Sequence, residues 1–593
     1  MRSRLFALAV VCGSMGTGAI AACGSDEGGS PAAGTPDATA PDTSTTGVVQ
    51  ADTGPAAPNA PTIVASDLVV YTGMTASVDA AATTAESFTW VVKSAPQGST
   101  VTTSTLTGAT TARPSFVADK TGDYVIELTA KNGSVGATKE VKVQAVAAPL
   151  FFMQTNFSED PPYLEYRTVG ADGTNNHTIA CRMNGTPDAG LGGNADLISM
   201  SMFLSDMGED WWEAPAGSPS RVAFAEFVND AGTTTSRLGL GTDQSTCQNP
   251  PVKVNPTVED GGARTGITLM QPRFAPNGSR VAYLEERNSG WVLVTVGHDG
   301  QDKQDLARVC TPEQGTSCFL PAVVPPRPQW LDNQTVGWVR QGTTDGGTEG
   351  WEVVIANDSA NPQPRIYMTC SGLTPRSFAF LGENTIIANR QAGDAGIEDL
   401  WVLRTQTVGG QCQVVRNLTN LPTPNSYARD FAVSPDESTV AFVRLEEAAD
   451  AAAPSGSRFG GHVYTVPIAG GTPVPVTGKP QLAWFGPRFV AGASQLAWNG
   501  VMAAPDAGDA GDVDGGASGI AVYPLDGGAM KYAALSDLDA GTTVVGGGNG
   551  GACDFRLNCA LDNGRSPRGN IVAMAGVAAA LLLRRRRRLR DEV

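Results

Sequence analysis

The stretch Gln271-Pro-Arg-Phe274-Ala-Pro-Asn-Gly278-Ser-Arg-Val-Ala-Tyr283, with Trp291-Val-Leu-Val-Thr-Val296 and His298-Asp-Gly300 behind it, decides the fold. A short segment led by Phe274 runs into a Pro-Asn-Gly turn, and two runs rich in β-branched and aromatic residues follow, each of strand length. The order returns at Arg429-Asp-Phe431-Ala-Val-Ser-Pro435-Asp-Glu-Ser-Thr-Val-Ala-Phe442 and His462-Val-Tyr-Thr-Val-Pro-Ile-Ala-Gly-Gly471. Weaker copies run from Pro328-Gln-Trp330 to Trp338, from Ser377-Phe378 to Ala388 and from Pro487-Arg-Phe489 to Trp498. A degenerate copy ends in Arg221-Val-Ala-Phe-Ala-Glu-Phe227. The leading aromatics Phe274, Trp330, Phe378, Phe431 and Phe489 stand 56, 48, 53 and 58 residues apart. A period near 50 with three or four strands per copy predicts an array of propeller blades. Counting the copy around 198–240 gives six blades, and the strand Leu150-Phe-Phe-Met-Gln154 is expected to close the ring with the last of them.

These copies resemble the TolB-type blade, in which a Pro-x-Phe-Ser-Pro-Asp-Gly-like turn precedes an Ile-Ala-Phe-like strand. That resemblance implies a six-bladed ring over residues 148–540. Residues 61–147 alternate in period two at Leu68-Val-Val-Tyr71, Ser87-Phe-Thr-Trp-Val-Val92, Tyr124-Val-Ile-Glu-Leu-Thr-Ala130 and Glu140-Val-Lys-Val-Gln144, the pattern of a small antiparallel sandwich. The run Pro114-Ser-Phe116 to Ala130 resembles the F-strand region of polycystic-kidney-disease-type Ig-like domains, with Trp90 as the buried aromatic of an inner strand. The expected fold class is therefore all-β: an Ig-like β-sandwich followed by a six-bladed β-propeller, with a disordered tether before and an apolar helix after.

Both ends read as addresses. A basic Met1-Arg-Ser-Arg4, an apolar Leu5–Val11 run and small residues ending Ile20-Ala-Ala-Cys23 make residues 1–22 an export signal. The ending resembles the bacterial lipobox, which implies lipidation of Cys23 after cleavage and membrane anchoring by its acyl chains. Residues 23–60, rich in Pro, Ala, Thr, Gly, Ser and Asp, cannot bury a core and read as a tether. At the other end, a Gly/Cys spacer (541–569) holds Cys553 and Cys559. The apolar run 570–583 follows, and then Arg584, Arg585, Arg586, Arg587 and Arg588. Fourteen residues are short of the roughly 20 that span a bilayer, and the arginines are expected to stay cytoplasmic. The order of spacer, Cys, helix and Arg run resembles myxobacterial C-terminal sorting segments. The resemblance implies processing at Cys553 or Cys559 and surface attachment; a plain tail anchor is the other reading.

The net charge of −18 understates the acidity between the two ends: without the eight terminal arginines, Asp591 and Glu592 it is −24. Such a body repels phosphate backbones, so nucleic acid is not expected as a partner. Glycine and proline reach about 18%, too little for a fibrous chain and consistent with many turns. Cys181, Cys247, Cys310, Cys318, Cys370 and Cys412 are even in number in an exported chain, where disulfides are the default. Spacing suggests Cys310–Cys318 in one loop, Cys370–Cys412 within one blade, and Cys181–Cys247, among fifteen possible pairings.

No motif of chemistry stands out. There is no Gly-x-Ser-x-Gly elbow and no His-Glu-x-x-His; the three histidines lie more than 100 residues apart, and no Cys-x-x-Cys occurs. The acidic run Asp506-Ala-Gly-Asp509-Ala-Gly-Asp512-Val-Asp514-Gly-Gly516 lacks EF-hand spacing and reads as a solvated insertion. No metal or cofactor is expected. Trp211-Trp212, read as part of an insertion in the first copy, is the weak binding candidate, set against simple packing of that loop. Asp206, Glu209, Asp210 and Glu213 around it predict a preference for cationic or neutral ligands. Two functions compete. One is a non-enzymatic envelope lipoprotein whose propeller binds a protein or polymer. The other is a propeller glycan lyase or hydrolase, which needs paired carboxylates in the central channel. Single acids favour binding; a tight acidic pair with Arg favours catalysis.

Overall fold

Val281, Ala282, Tyr283 and Leu284 are buried one after another, so this strand of the second copy has no solvent face. A strand covered on both sides needs an unbroken apolar run rather than alternation. That is why the Val-Ala-aromatic triplet recurs: Val440-Ala-Phe442 and Leu496-Ala-Trp498 are equally buried. The computed structural model describes residues between 59 and 535; the longer stretches outside the described residues are 181–208, 258–268, 311–326, 448–458 and 502–517. The signal, the tether to residue 58, the spacer and the Arg-tailed apolar segment also lie outside them, with Cys23, Cys181, Cys247, Cys318, Cys553 and Cys559.

Among the described residues every regular element is a strand except one 3₁₀ turn, Thr103–Thr105. The sandwich has a four-stranded sheet in the order Leu68–Tyr71, Val135–Val146, Gly122–Asn132, Ser87–Ser94, the first pair parallel. The pair Thr75–Ser77 and Ser115–Val117 covers it. Strand Gly122–Asn132 buries every second residue, and Tyr124, Ile126 and Leu128 meet Trp90 in the core. The Trp90 indole donates to the Thr111 carbonyl at 2.9 Å, giving its buried N–H a partner.

The six copies each form a sheet of four strand positions. Blade 1 comprises Glu209–Trp212, Arg221–Asp230, Thr233–Thr242 and Val252–Val254. Blade 2 comprises Leu269–Phe274, Arg280–Arg287, Gly290–Gly297 and Gln304–Cys310. Blades 3, 4 and 5 begin at Gln329–Trp330, Pro375–Phe380 and Ser426–Val433. In blade 6 the first position is split between Leu482–Ala483 and Arg488–Val490, both paired to Gln495–Val501. The turn that leads into the second strand is set by geometry: Gly278 closes on the Ala275 carbonyl at 2.8 Å with φ +67°, and a Cβ there would collide with the Trp212 ring.

Closure is achieved differently from the expectation. The Leu150 strand does not join blade 6. Pro149–Asn156 pairs with Tyr163–Gly170 and that with His177–Ala180, so a separate leading sheet stands between blade 6 and blade 1. The period-two rule explains how one sheet serves both neighbours. Leu150 and Phe152 point to Val490, Ala497, Ile520 and Val522 of blade 6, while Phe151 points with Ile179 to Val222 and Phe224 of blade 1. Among the described residues, seven apolar cores separate seven consecutive sheets, and the circuit returns to its start. The six copies are thus complete as sheets, and the ring carries one sheet that repeats none of their turn residues.

Cys370 and Cys412 are disulfide-bonded, with Cα atoms 5.1 Å apart. The bond does not staple one blade. It ties Arg365–Ser371, the outer strand of blade 3, to Gly410–Asn417, the outer strand of blade 4, where Met368 and Gly410 pair in parallel. Cys310 ends the outer strand of blade 2, and its proposed partner Cys318 lies outside the described residues.

Candidate functional site

Trp211 and Trp212 are not in an insertion. They end the first strand of blade 1, where Glu209, Asp210, Trp211 and Trp212 pair with Phe224, Ala223, Val222 and Arg221. They take the place that Phe274 or Trp330 takes in other copies, and the absence of a Pro-Asn-Gly turn behind them concealed this. Both rings pack. Trp212 lies over Gly278, donates to the Pro276 carbonyl at 2.9 Å and receives the Arg221 guanidinium 5.1 Å from its centroid. Trp211 sits 6.2 Å from Phe151 and within both cores of the leading sheet.

The chemistry lies beside them, on Asp210. Its carboxylate is buried and charged groups from three other blades converge on it. Arg273 of blade 2 donates from Nη1 to Oδ1 at 3.1 Å, and Arg488 of blade 6 donates from Nη1 to the same oxygen. The Phe274 backbone N–H donates to Oδ2 at 2.8 Å. Arg327, just before the first strand of blade 3, adds its field and donates from Nε to Gln271 Oε1 at 2.9 Å. Burial alone would raise the Asp210 pKa; the guanidinium groups of Arg273, Arg488 and Arg327, with the Phe274 N–H, outweigh it and hold the carboxyl below its ordinary range. The Arg488 guanidinium also lies 4.6 Å from the Trp211 ring centroid. The expectation of a site suited to cations is therefore overturned at Asp210, because its arginines come from 63 and 278 residues away and no local window contains them.

The backbone that presents these arginines is irregular in a repeated way. The first strand of blade 2 slips register between Met270 and Arg273, where Gln271 has φ +59°. Blade 4 slips between Pro375 and Phe378, and blade 5 between Arg429 and Ala432, where Asp430 has φ +46°. In blade 6 Arg488 opens the second of the two short strands that share this position. Bulges of this kind re-aim side chains next to functional sites. At each of them an arginine precedes the leading aromatic: Arg273 before Phe274, Arg376 before Phe378, Arg429 before Phe431, Arg488 before Phe489. Arg327 stands three residues before Trp330 in blade 3. This Arg-then-aromatic recurrence was available to sequence reading, and it contains the two arginines, Arg273 and Arg488, that contact Asp210.

A second group of buried polar residues lies where the sandwich meets the ring. Tyr71 donates its hydroxyl to the Ala214 carbonyl at 2.8 Å, Gln495 donates to the Thr72 carbonyl at 3.2 Å, and Met74 packs with Ala148 and Ala491. Glu213 is enclosed there. Burial pushes its carboxyl up to about 7, only partly opposed by the backbone N–H groups of Ala491 and Gly492. Burial, together with the nearby charges of Glu213 and Asp243, pushes Tyr71 up to about 12. Asp243 is likewise raised by burial, with His177 acting in the opposite sense. The folded chain thus holds a proton on Glu213 where the unfolded chain has released it, so stability is full below about pH 4.5 and falls as pH rises to about 7. Glu213→Gln should remove that loss, worth about 3 kcal/mol for a shift of this size. Urea unfolding at pH 5 and pH 8 checks it: the variant should gain on wild type at pH 8 and match it at pH 5.

Among the described residues no three His, Cys, Asp or Glu side chains come together to hold a metal ion. No protein-family model and no curated protein matches the chain. Solved structures do. TolB from Acinetobacter baumannii is 13% identical over 65% of this chain and 82% of its own, with a TM-score of 0.31. A TolB-like structure from Agrobacterium tumefaciens is 12% identical over 45% of this chain and 80% of its own, at 0.27. A puromycin-hydrolyzing peptidase of Mycobacterium tuberculosis is 10% identical over 70% of this chain at 0.35, and this chain spans about half of it, 52%. At these values the likenesses say nothing about activity.

Proposed function

We propose that this β-propeller chain is a non-enzymatic cell-envelope lipoprotein, held at the membrane through Cys23 and residues 570–593, whose ring binds a protein or polymer at the cell surface. The observation that carries the binding half is the state of Asp210. Glycoside hydrolysis needs two carboxyl groups, one of them able to carry a proton at working pH. The charged groups that dominate around Asp210 are guanidiniums, and they keep its carboxyl ionised. Such a carboxylate is a fixed structural anion within a set of oriented donors, which suits recognition better than proton transfer. The anchoring half rests on the lipobox-like Ile20-Ala-Ala-Cys23 and on the apolar run with its five arginines. Combining Cys23→Ser with a stop after residue 540 should move the protein from the membrane to the soluble fraction of a bacterium with two membranes. The released protein should then co-sediment saturably with outer-membrane vesicles from the same cells. Retention in the membrane after both changes would refute the anchor, and co-sedimentation no greater than that of an unrelated acidic protein would refute the binding role.

A further inference from the structure

We propose that the sandwich is a releasable clamp on the seam of the ring and that Glu213 is its release group: neutral, it keeps sandwich and seam docked; ionised, it lets the sandwich swing away. The seam is where blade 6 meets the leading sheet and blade 1, and the sandwich touches all three. Tyr71 donates to the Ala214 carbonyl of blade 1, and Gln495 of blade 6 donates to the Thr72 carbonyl. Thr121 donates from Oγ1 to Asp172 Oδ2 of the leading sheet at 2.8 Å. Met74 packs on Ala491, and a Cβ on Gly492 would stand 2.6 Å from its Cε. The covalent link is short: Val135–Val146 ends the sandwich and Pro149–Asn156 begins the leading sheet, so Ala147 and Ala148 form the pivot.

The strands that flank the seam are joined twice. Arg488 reaches Asp210, and three residues further along each chain Glu213 meets the backbone N–H groups of Ala491 and Gly492. The second joint is strained. Ala491, Gly492 and Ala493 have φ of +52°, +61° and +71°, a left-handed region that alanine seldom adopts. Such a conformation persists where its surroundings over-determine it. Here the surroundings include Glu213 and the sandwich residues Thr72, Gly73 and Met74. Glu213 has little to stabilise a charge. The sandwich presents Tyr71, blade 1 presents Ser220 and Asp243, and the leading sheet presents His177, which acts on Asp243. Blade 6 presents the two N–H groups and the neutral Gln495. Among the described residues Glu213 Oε1 is buried without a hydrogen-bond partner, and no arginine or lysine acts on this carboxyl. Ionised there, it loses its water without compensation, so it holds its proton better docked than free. Burial lifts the carboxyl from 4.5 to about 7. The docked state thus keeps a proton that the free state has released: docking is full below about pH 4.5 and weakens as pH rises to about 7. A shift of this size weakens docking about 300-fold in total.

The test is backbone hydrogen exchange in the full chain in mild detergent at pH 5 and pH 8, corrected for the intrinsic pH dependence of exchange. The Ala491 and Gly492 amides should lose protection roughly tenfold or more at pH 8. Dilute peroxide, referenced to free methionine at each pH, should oxidise Met74 several-fold faster there. The blade 2 strand Arg280–Arg287 should stay protected, and the fully buried Met368 should stay slow. Glu213→Gln keeps a neutral group of the same shape, and it should hold both amides protected and Met74 slow at both pH values. Tyr71→Phe removes one docking bond, so it should release the seam more readily at both pH values with the same pH dependence. Equal protection of the two amides at pH 5 and pH 8, or the same loss in Glu213→Gln, overturns the proposal. Loss of protection at Arg280–Arg287 together with the seam is global unfolding; it overturns the clamp and leaves the Glu213 stability effect standing. A Glu213→Gln chain that does not fold at pH 5 also overturns it, because the docked state is then not one that a neutral side chain satisfies.

Discussion

Asp210→Ala should cost the ring about 3 to 5 kcal/mol, the range observed when one partner of a buried ion pair is removed. Asp210 is nearly inaccessible, and the variant would leave Arg273 and Arg488 facing each other beside the Arg327 field without the anion that joins them. It would also orphan the Phe274 N–H that Asp210 now accepts. The contrast is Asp79, whose ion pair with Arg113 at 3.2 Å joins side chains more than 60% exposed. Asp79→Ala should change stability by less than about 1 kcal/mol. Acid should reproduce the first effect and not the second. The Asp210 pKa is depressed in the folded state, so its contribution is complete above the ordinary carboxylate range and is lost as pH falls through the folded value. Chemical denaturation of wild type, Asp210→Ala and Asp79→Ala at pH 7 checks the ranking. A cost below 1 kcal/mol for Asp210→Ala would mean that the arginines repack without it.

How much of this was legible depends on where the information sits. The blade period could be read because each copy repeats a turn that constrains backbone geometry: Ala275-Pro-Asn-Gly278 and Ser434-Pro-Asp-Glu437 both close with a 2.8 Å hydrogen bond between their first and last residues. Glu437 keeps the positive φ of Gly278 without glycine, which is why that copy remained recognisable while its consensus drifted. The sandwich was legible because Gly122–Asn132 buries alternate residues. The leading sheet was only half legible. Leu150-Phe-Phe reads as a strand, but Tyr163–Gly170 is Tyr-Leu-Glu-Tyr-Arg-Thr-Val-Gly, whose mixed polarity carries no turn signal and no period. Asp210 was misread for a different reason. Its acidic neighbours in sequence suggested a cation site, and the charge that governs it arrives through ring closure from Arg488, 278 residues away. The pairing of Cys370 with Cys412 could be guessed from spacing, whereas the blade boundary it crosses could not.

The largest cooperative effect belongs to the leading sheet. Leu150, Phe151, Phe152, Val169 and Ile179 are all at most 3% exposed, two of them against blade 1 and three against blade 6. At about 2 kcal/mol for each buried side chain of this size, the five contribute on the order of 10 kcal/mol before entropy is counted. The Tyr166 ring stacks on Phe224 at 4.0 Å and its hydroxyl donates to the Ala225 carbonyl at 3.0 Å, adding directional contacts to blade 1. A sheet held on two faces should stay in place without its covalent link to the rest of the ring, since micromolar retention needs only about 8 kcal/mol. Introducing a specific protease site within 181–208, outside the described residues, and cutting it in the folded protein puts ring closure to direct trial. Size-exclusion chromatography of the cut protein at micromolar concentration should give one particle containing both fragments, separating only in denaturant. Elution of the N-terminal fragment by itself under native conditions would contradict a ring closed through the leading sheet.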